Sequence, residues 1–155
     1  MKSHCDYFVW NDWFWHSLLP KRISICLWKT WFMCLAVDDR VQAKGILMAS
    51  ACDCCMQRSQ ENIYHILSLG KVASKVWRWA SMVLGIPFQW VLPWKNRVTN
   101  WLHYAKKSST KGIIIGLIPC LITWCLWNRR CKVRRKEFIK VLIKFREVFG
   151  TGLDL

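Results

Sequence analysis

Three thiols and an imidazole sit close together in this chain, as Cys52-Asp53-Cys54-Cys55, then Glu61 and His65. Cys52 and Cys55 have the C-x-x-C spacing that lets two thiolates on a tight turn grip one metal at about 2.3 Å. His65 lies on a segment that reads as a short helix, Glu61 to Leu69, which can fold back over that turn. Cys54 is a substitute ligand, although adjacent cysteines share one ion only with strain. The competing reading is three buried or reactive thiols beside a surface histidine. On spacing alone both readings stand.

A second group of residues points to anions. Lys132, Lys136, Lys140 and Lys144 recur every four residues, reinforced by Arg129, Arg130, Arg134 and Arg135. Like charges at i,i+4 repel on a helix, so an anionic partner relieves a cost. Contact with the phosphate backbone of RNA or DNA is the natural candidate and is independent of sequence. A solvated helix face is the plain alternative. A basic amphipathic helix that lies on a membrane or binds a calmodulin-like partner is the third reading.

Catalytic constellations are scarce. Val37-Asp38-Asp39 resembles half of a polymerase carboxylate set, but that chemistry needs a third acid and a two-metal geometry, and the pair opens a short helix. The sequence contains no Gly-rich phosphate loop, Ser-His-Asp arrangement or paired-glutamate site. The expectation is a protein that is not an enzyme.

Composition sets the frame for these groups. The chain has 155 residues, 54% of them hydrophobic, with twelve tryptophans. That is enough for a substantial core and excludes disorder. The net charge of +15, from 24 Lys+Arg against 9 Asp+Glu, favours nucleic acid or an acidic membrane surface. The nine cysteines are odd in number, and the first residues lack a clean apolar signal segment. A reducing, intracellular compartment is expected, the nucleus included. Gly112 to Trp127 is continuously apolar but short of the roughly 20 residues of a typical span, and Pro119 falls near its middle. A buried helix is preferred there over a membrane anchor.

The elements that must position these residues read as helices, with strand alternation nearly absent. Ile23 to Leu35 has helical spacing after Pro20, and Asp38 or Asp39 caps a short helix that stops at Gly45. Ile46 to Gln60 is a loop carrying the cysteines. Val72 to Leu84 is amphipathic, with Val72, Val76, Trp77, Trp79, Ala80 and Val83 near one face. Arg97 to Lys106 is helical, Ser109 or Thr110 caps the apolar segment, and a long helix follows from Asn128. The expected organisation is a zinc-knuckle domain over residues 1–86, a connection and helix over 87–111, and an apolar then basic helical region over 112–155. The fold class is mostly α, a small helical domain with a knuckle-like loop and a long basic C-terminal helix.

With these motifs in place, Trp10 to Ile86 resembles the zinc-binding domain that follows the reverse transcriptase in plant non-LTR, LINE-type retroelements. The resemblance rests on Trp10 to Trp15, Leu19-Pro20-Lys21, Cys26-Leu27-Trp28-Lys29, Leu35 to Arg40, Cys52-x-x-Cys55, Glu61, His65 and Val76-Trp77. Ile122 to Arg130 is also similar to a Trp-x-x-Trp-x-x-Arg segment found downstream in such polyproteins. The resemblance implies zinc ligation by Cys52, Cys55 and His65. The family's further Cys, about five residues after its His, is replaced here by Gly70, which leaves Cys54 or water to complete the set. The function implied is that of a retroelement-derived, zinc-binding and nucleic-acid-associated module without polymerase or endonuclease regions. The alternatives are a membrane-associated protein anchored by 112–127 and a decayed, nonfunctional fragment.

Overall fold

The computed structural model describes residues 6–52, 54 and 59–149. The side chains described on the last helix end at Lys140, and those of 137–139 are also outside the description. Among the described residues, six α-helices and one π-helical turn follow in chain order: α1 (Asp6–Phe14), α2 (Lys21–Trp31), α3 (Asp38–Gln42), the π turn (His65–Leu69), α4 (Lys71–Leu84), α5 (Trp94–Leu102) and α6 (Thr110–Phe149). No strand occurs among the described residues. The fold is mostly α with a long C-terminal helix, as the sequence pattern predicts.

Helix α6 is the spine, packed against α1, α2, α4, α5 and the π turn. It starts where Ser109 can cap it: the Ser109 hydroxyl accepts the Gly112 N–H at 3.1 Å. The apolar segment and the basic segment then run as one helix with Pro119 inside it. Ile115, Ile122, Thr123, Leu126 and Arg130 are buried at helical spacing, so one inward stripe runs along this helix. Thr110–Lys136 is long and apolar enough, by length and composition, to cross a membrane. Ile114 and Leu121 on it remain exposed.

Tryptophan dominates the core that this spine organises. Trp77, Trp94 and Trp101 are fully buried, and two of their indole N–H groups find acceptors inside it. Trp94 Nε1 donates to Thr123 Oγ1 at 2.8 Å and Trp77 Nε1 to the Leu67 carbonyl at 2.7 Å. Trp10 stacks on Trp31 with ring centroids 4.6 Å apart. Trp13 lies so close to α6 that a Cβ at Gly116 would meet its ring at 2.3 Å. Glycine at 116 is what lets α1 reach the spine.

Three local expectations are corrected. Helix α2 ends at Trp31, short of Leu35, because Met33 adopts a left-handed φ of 56°. Cys34 N–H then bonds to the Lys29 carbonyl at 2.7 Å and Met33 N–H to the Thr30 carbonyl at 3.0 Å, the Schellman closure. On α4 the buried residues are Ala73, Trp77, Ala80 and Ser81, while Trp79 and Val83 face outward. The Trp77 indole sets that rotation by reaching Leu67, and Trp79, two residues on, is turned to the opposite side. Neither Asp38 nor Asp39 caps α3: its N-cap is Val37, with no side-chain hydrogen bond.

Candidate metal centre

The loop that carries the cysteines is closed at its neck. Cys52 N–H donates to the Ser59 carbonyl at 2.8 Å, and Glu61 N–H donates to Ser50 Oγ at 3.0 Å. Asn62 then caps the turn that presents the imidazole, its Oδ1 accepting the His65 N–H at 2.8 Å. The turn closes with a π-type bond from Gly70 N–H to the His65 carbonyl at 2.8 Å. A Cβ at position 70 would meet that carbonyl oxygen at 2.4 Å and the imidazole Cε1 at 3.4 Å. Any side chain at 70 would therefore start against His65, and this chain has none there.

Cys52, Cys54, His65, Gly70, Leu126 and Arg129 line one cavity of about 10 Å³. That is room for roughly one water-sized particle. Burial pushes the His65 imidazole below its ordinary pKa, while the Glu61 charge opposes the shift. The ring is thus neutral at pH 7, the form that binds metal. Two thiols and a neutral imidazole match the soft and borderline donors that zinc takes. Among the described residues, however, no three of His, Cys, Asp and Glu are grouped so as to hold an ion. Cys55 lies outside the described residues. The described donors share a cavity without forming a ligand set by themselves.

Glu61 belongs to a buried ion cluster. Arg130 Nε reaches both Glu61 carboxylate oxygens, at 3.1 and 3.2 Å, and its Nη2 also bonds Glu61 and the Ala36 carbonyl. Arg134 Nη2 donates to Asp38 Oδ2 at 2.6 Å and lies 3.5 Å from Glu61 Oε2. Burial disfavours the charged form of Arg130, and Glu61, by hydrogen bonding and by charge, more than offsets it, so the pKa lies above the ordinary arginine value. Two carboxylates and two guanidinium groups thus neutralise each other in the interior. Of the Asp38-Asp39 pair, Asp38 supplies a carboxylate to this arrangement, and Asp39 meets it through its backbone N–H, which donates to the Glu61 carbonyl at 3.4 Å.

The family model described as zinc-binding in reverse transcriptase matches residues 1–77. This part of the chain belongs to that family. No curated protein and no solved structure matches the chain. The zinc-binding domain, so bounded, contains Cys52, Cys54, Cys55, Glu61 and His65 and ends within α4. Arg129, which lines the cavity, and Arg130, which holds Glu61, come from α6, beyond the match.

The basic residues of α6 divide between two faces. Arg129, Lys132, Arg135, Lys136 and Lys140 are exposed. Arg130 departs from the expected anion-binding row: it points inward to Glu61, as Arg134 does to Asp38. The reason is register, since 126, 130 and 134 continue the inward stripe at i,i+4. Lys144 lies on α6, and its side chain is outside those described. The inward pair was detectable in principle, because Arg130 and Arg134 fall in phase with Ile115, Ile122 and Leu126.

Proposed function

We propose that this chain is a retroelement-derived zinc-binding module with a structural, non-catalytic role, and that nucleic acid is its partner. Cys52, Cys55 and His65 would hold the metal, with Cys54 as the thiol available in place of a side chain at Gly70. Zinc bound there would tie the 46–60 loop to the π turn, as structural zinc does in small domains. The observation that carries this reading is the shared cavity of Cys52, Cys54 and His65 within the matched domain. Zinc stoichiometry of the purified protein tests it. One zinc per chain is expected, lost in Cys52→Ser together with thermal stability. A metal-free protein whose stability ignores Cys52→Ser overturns the reading.

The partner reading rests on α6. Arg129, Lys132 and Lys136 line a groove of about 410 Å³ with Cys125, Asn128 and Val133, and exposed Lys140 extends the row. No Asp or Glu occurs between Glu61 and Glu137, so no carboxylate of that stretch competes for these cations. Binding to RNA or DNA should fall steeply with salt, with a slope of about 0.9 per phosphate contacted on duplex DNA. Lys136→Gln and Lys140→Gln should each reduce that slope, and salt-independent binding counts against the reading.

A second reading, membrane association, is favoured by one observation, the apolar length of Thr110–Lys136. Carbonate extraction of membranes separates the two, since a stable span resists it.

A further inference from the structure

The exposed aromatic residues of α4 and the loop after it are not accounted for by a zinc module or by the α6 cations. Trp79 is 65% exposed and Trp90 61% exposed. On α4 the outward residues Lys71, Lys75, Arg78, Trp79 and Met82 follow helical spacing and form one face. Three cations thus lie along about 10 Å of helix axis and end at an indole.

The Trp90 ring is exposed, yet it is held on two sides. The Arg78 guanidinium lies 5.2 Å from its centroid, and Phe88 meets it edge-on at 5.1 Å. Phe88 in turn rests over Arg97 at 4.9 Å, and Arg97 lies 5.7 Å from the buried Trp77 ring. Arg97 is fully buried and anchored by its Nε–H to Ser68 Oγ at 3.0 Å. A contact series from Trp77 through Arg97 and Phe88 therefore runs from the core to Trp90 at the surface. Such fixing removes much of the entropy an aromatic platform would lose on binding.

We propose that Lys71, Lys75, Arg78, Trp79 and Trp90 form a binding surface for single-stranded nucleic acid, with bases on the indoles and phosphates on the cations. Flat rings beside fixed charges match the alternation of base and phosphate along a single strand, whereas a duplex hides its base faces. Charge complementarity is one-sided, because α4 and the loop contain no carboxylate. The surface shares its ligand class with the α6 reading but rests on other residues, so the two can fail separately.

Fluorescence anisotropy of labelled single-stranded RNA, single-stranded DNA and the matching duplex, with the full chain, tests the surface. Trp79→Ala/Trp90→Ala should weaken single-strand binding about tenfold or more per indole engaged while leaving duplex binding within about twofold. Trp79→Tyr/Trp90→Tyr, which keeps a ring at each site, should retain most of the affinity. Lys132→Gln/Lys136→Gln on α6 should weaken both strand forms and leave the single-strand preference intact. The RNA and DNA arms show which sugar is preferred. Circular dichroism confirms that each variant is folded. Single-strand binding that ignores the double alanine variant overturns the proposal. So does loss of binding to vesicles of phosphatidylserine and phosphatidylcholine, with oligonucleotide binding unchanged, which assigns the face to a membrane.

Discussion

Arg130 on α6 holds both carboxylate oxygens of Glu61, four residues before His65. This pair joins the matched zinc-binding domain to a helix outside the match. Glu61 is 0% exposed, so it depends on Arg130 and Arg134 for its counter-charge. Breaking a buried pair from one side leaves the other charge stranded.

Arg130→Met should therefore destabilise the protein by about 3–5 kcal/mol, read as a lower urea midpoint. Glu61→Gln/Arg130→Met should recover much of that loss, because neither buried charge of the pair then remains. A single variant as stable as the parent would show that the pair contributes nothing.

Gly116→Ala should cost about 1–3 kcal/mol, the usual range for overpacking a tight contact. The added methyl would meet the Trp13 ring at 2.3 Å. Combining it with Trp13→Leu should cost less than the two changes added together. Strict additivity of the melting shifts would mean that the two residues do not touch.

Thiol reactivity should follow burial. Burial pushes the Cys26 thiol up to about 11 and the Cys120 thiol up to about 12. Both remain protonated at neutral pH and shielded, whereas Cys34 and Cys125 are exposed. Timed alkylation with peptide mapping should label Cys34 and Cys125 first and Cys26 and Cys120 only on unfolding. Early labelling of Cys120 would contradict the packing of α6.

In the presence of a chelator, acid should weaken the fold through His65. Its folded-state pKa lies below the ordinary 6.5, so between the two values the unfolded chain binds more protons. The contribution is present above about 6.5 and is lost as pH falls through the folded-state value. His65→Asn should flatten the stability profile in that window. An unchanged slope would assign the acid sensitivity to other groups.

Much of the helical layout is legible from local chemistry. Pro20, Ser109, Gly70 and the polar break before α6 act within a turn of the backbone they direct, so they mark helix ends without reference to the rest of the molecule. The early end of α2 was not legible, because the left-handed position of its closure is occupied by Met33 rather than glycine.

By itself the sequence determined the helical class, the basic surplus and the close spacing of Cys52, Cys54, Cys55 and His65. Those are properties of composition and short spacing. Tertiary structure decided which side of each helix faces the core. It turned Trp79 outward because Trp77 took the interior site, and it drew Arg130 inward because Glu61 and Asp38 lay buried against α6. Amphipathic spacing defines a face but not its partner, and a charge becomes interior only when a distant element supplies its counter-ion.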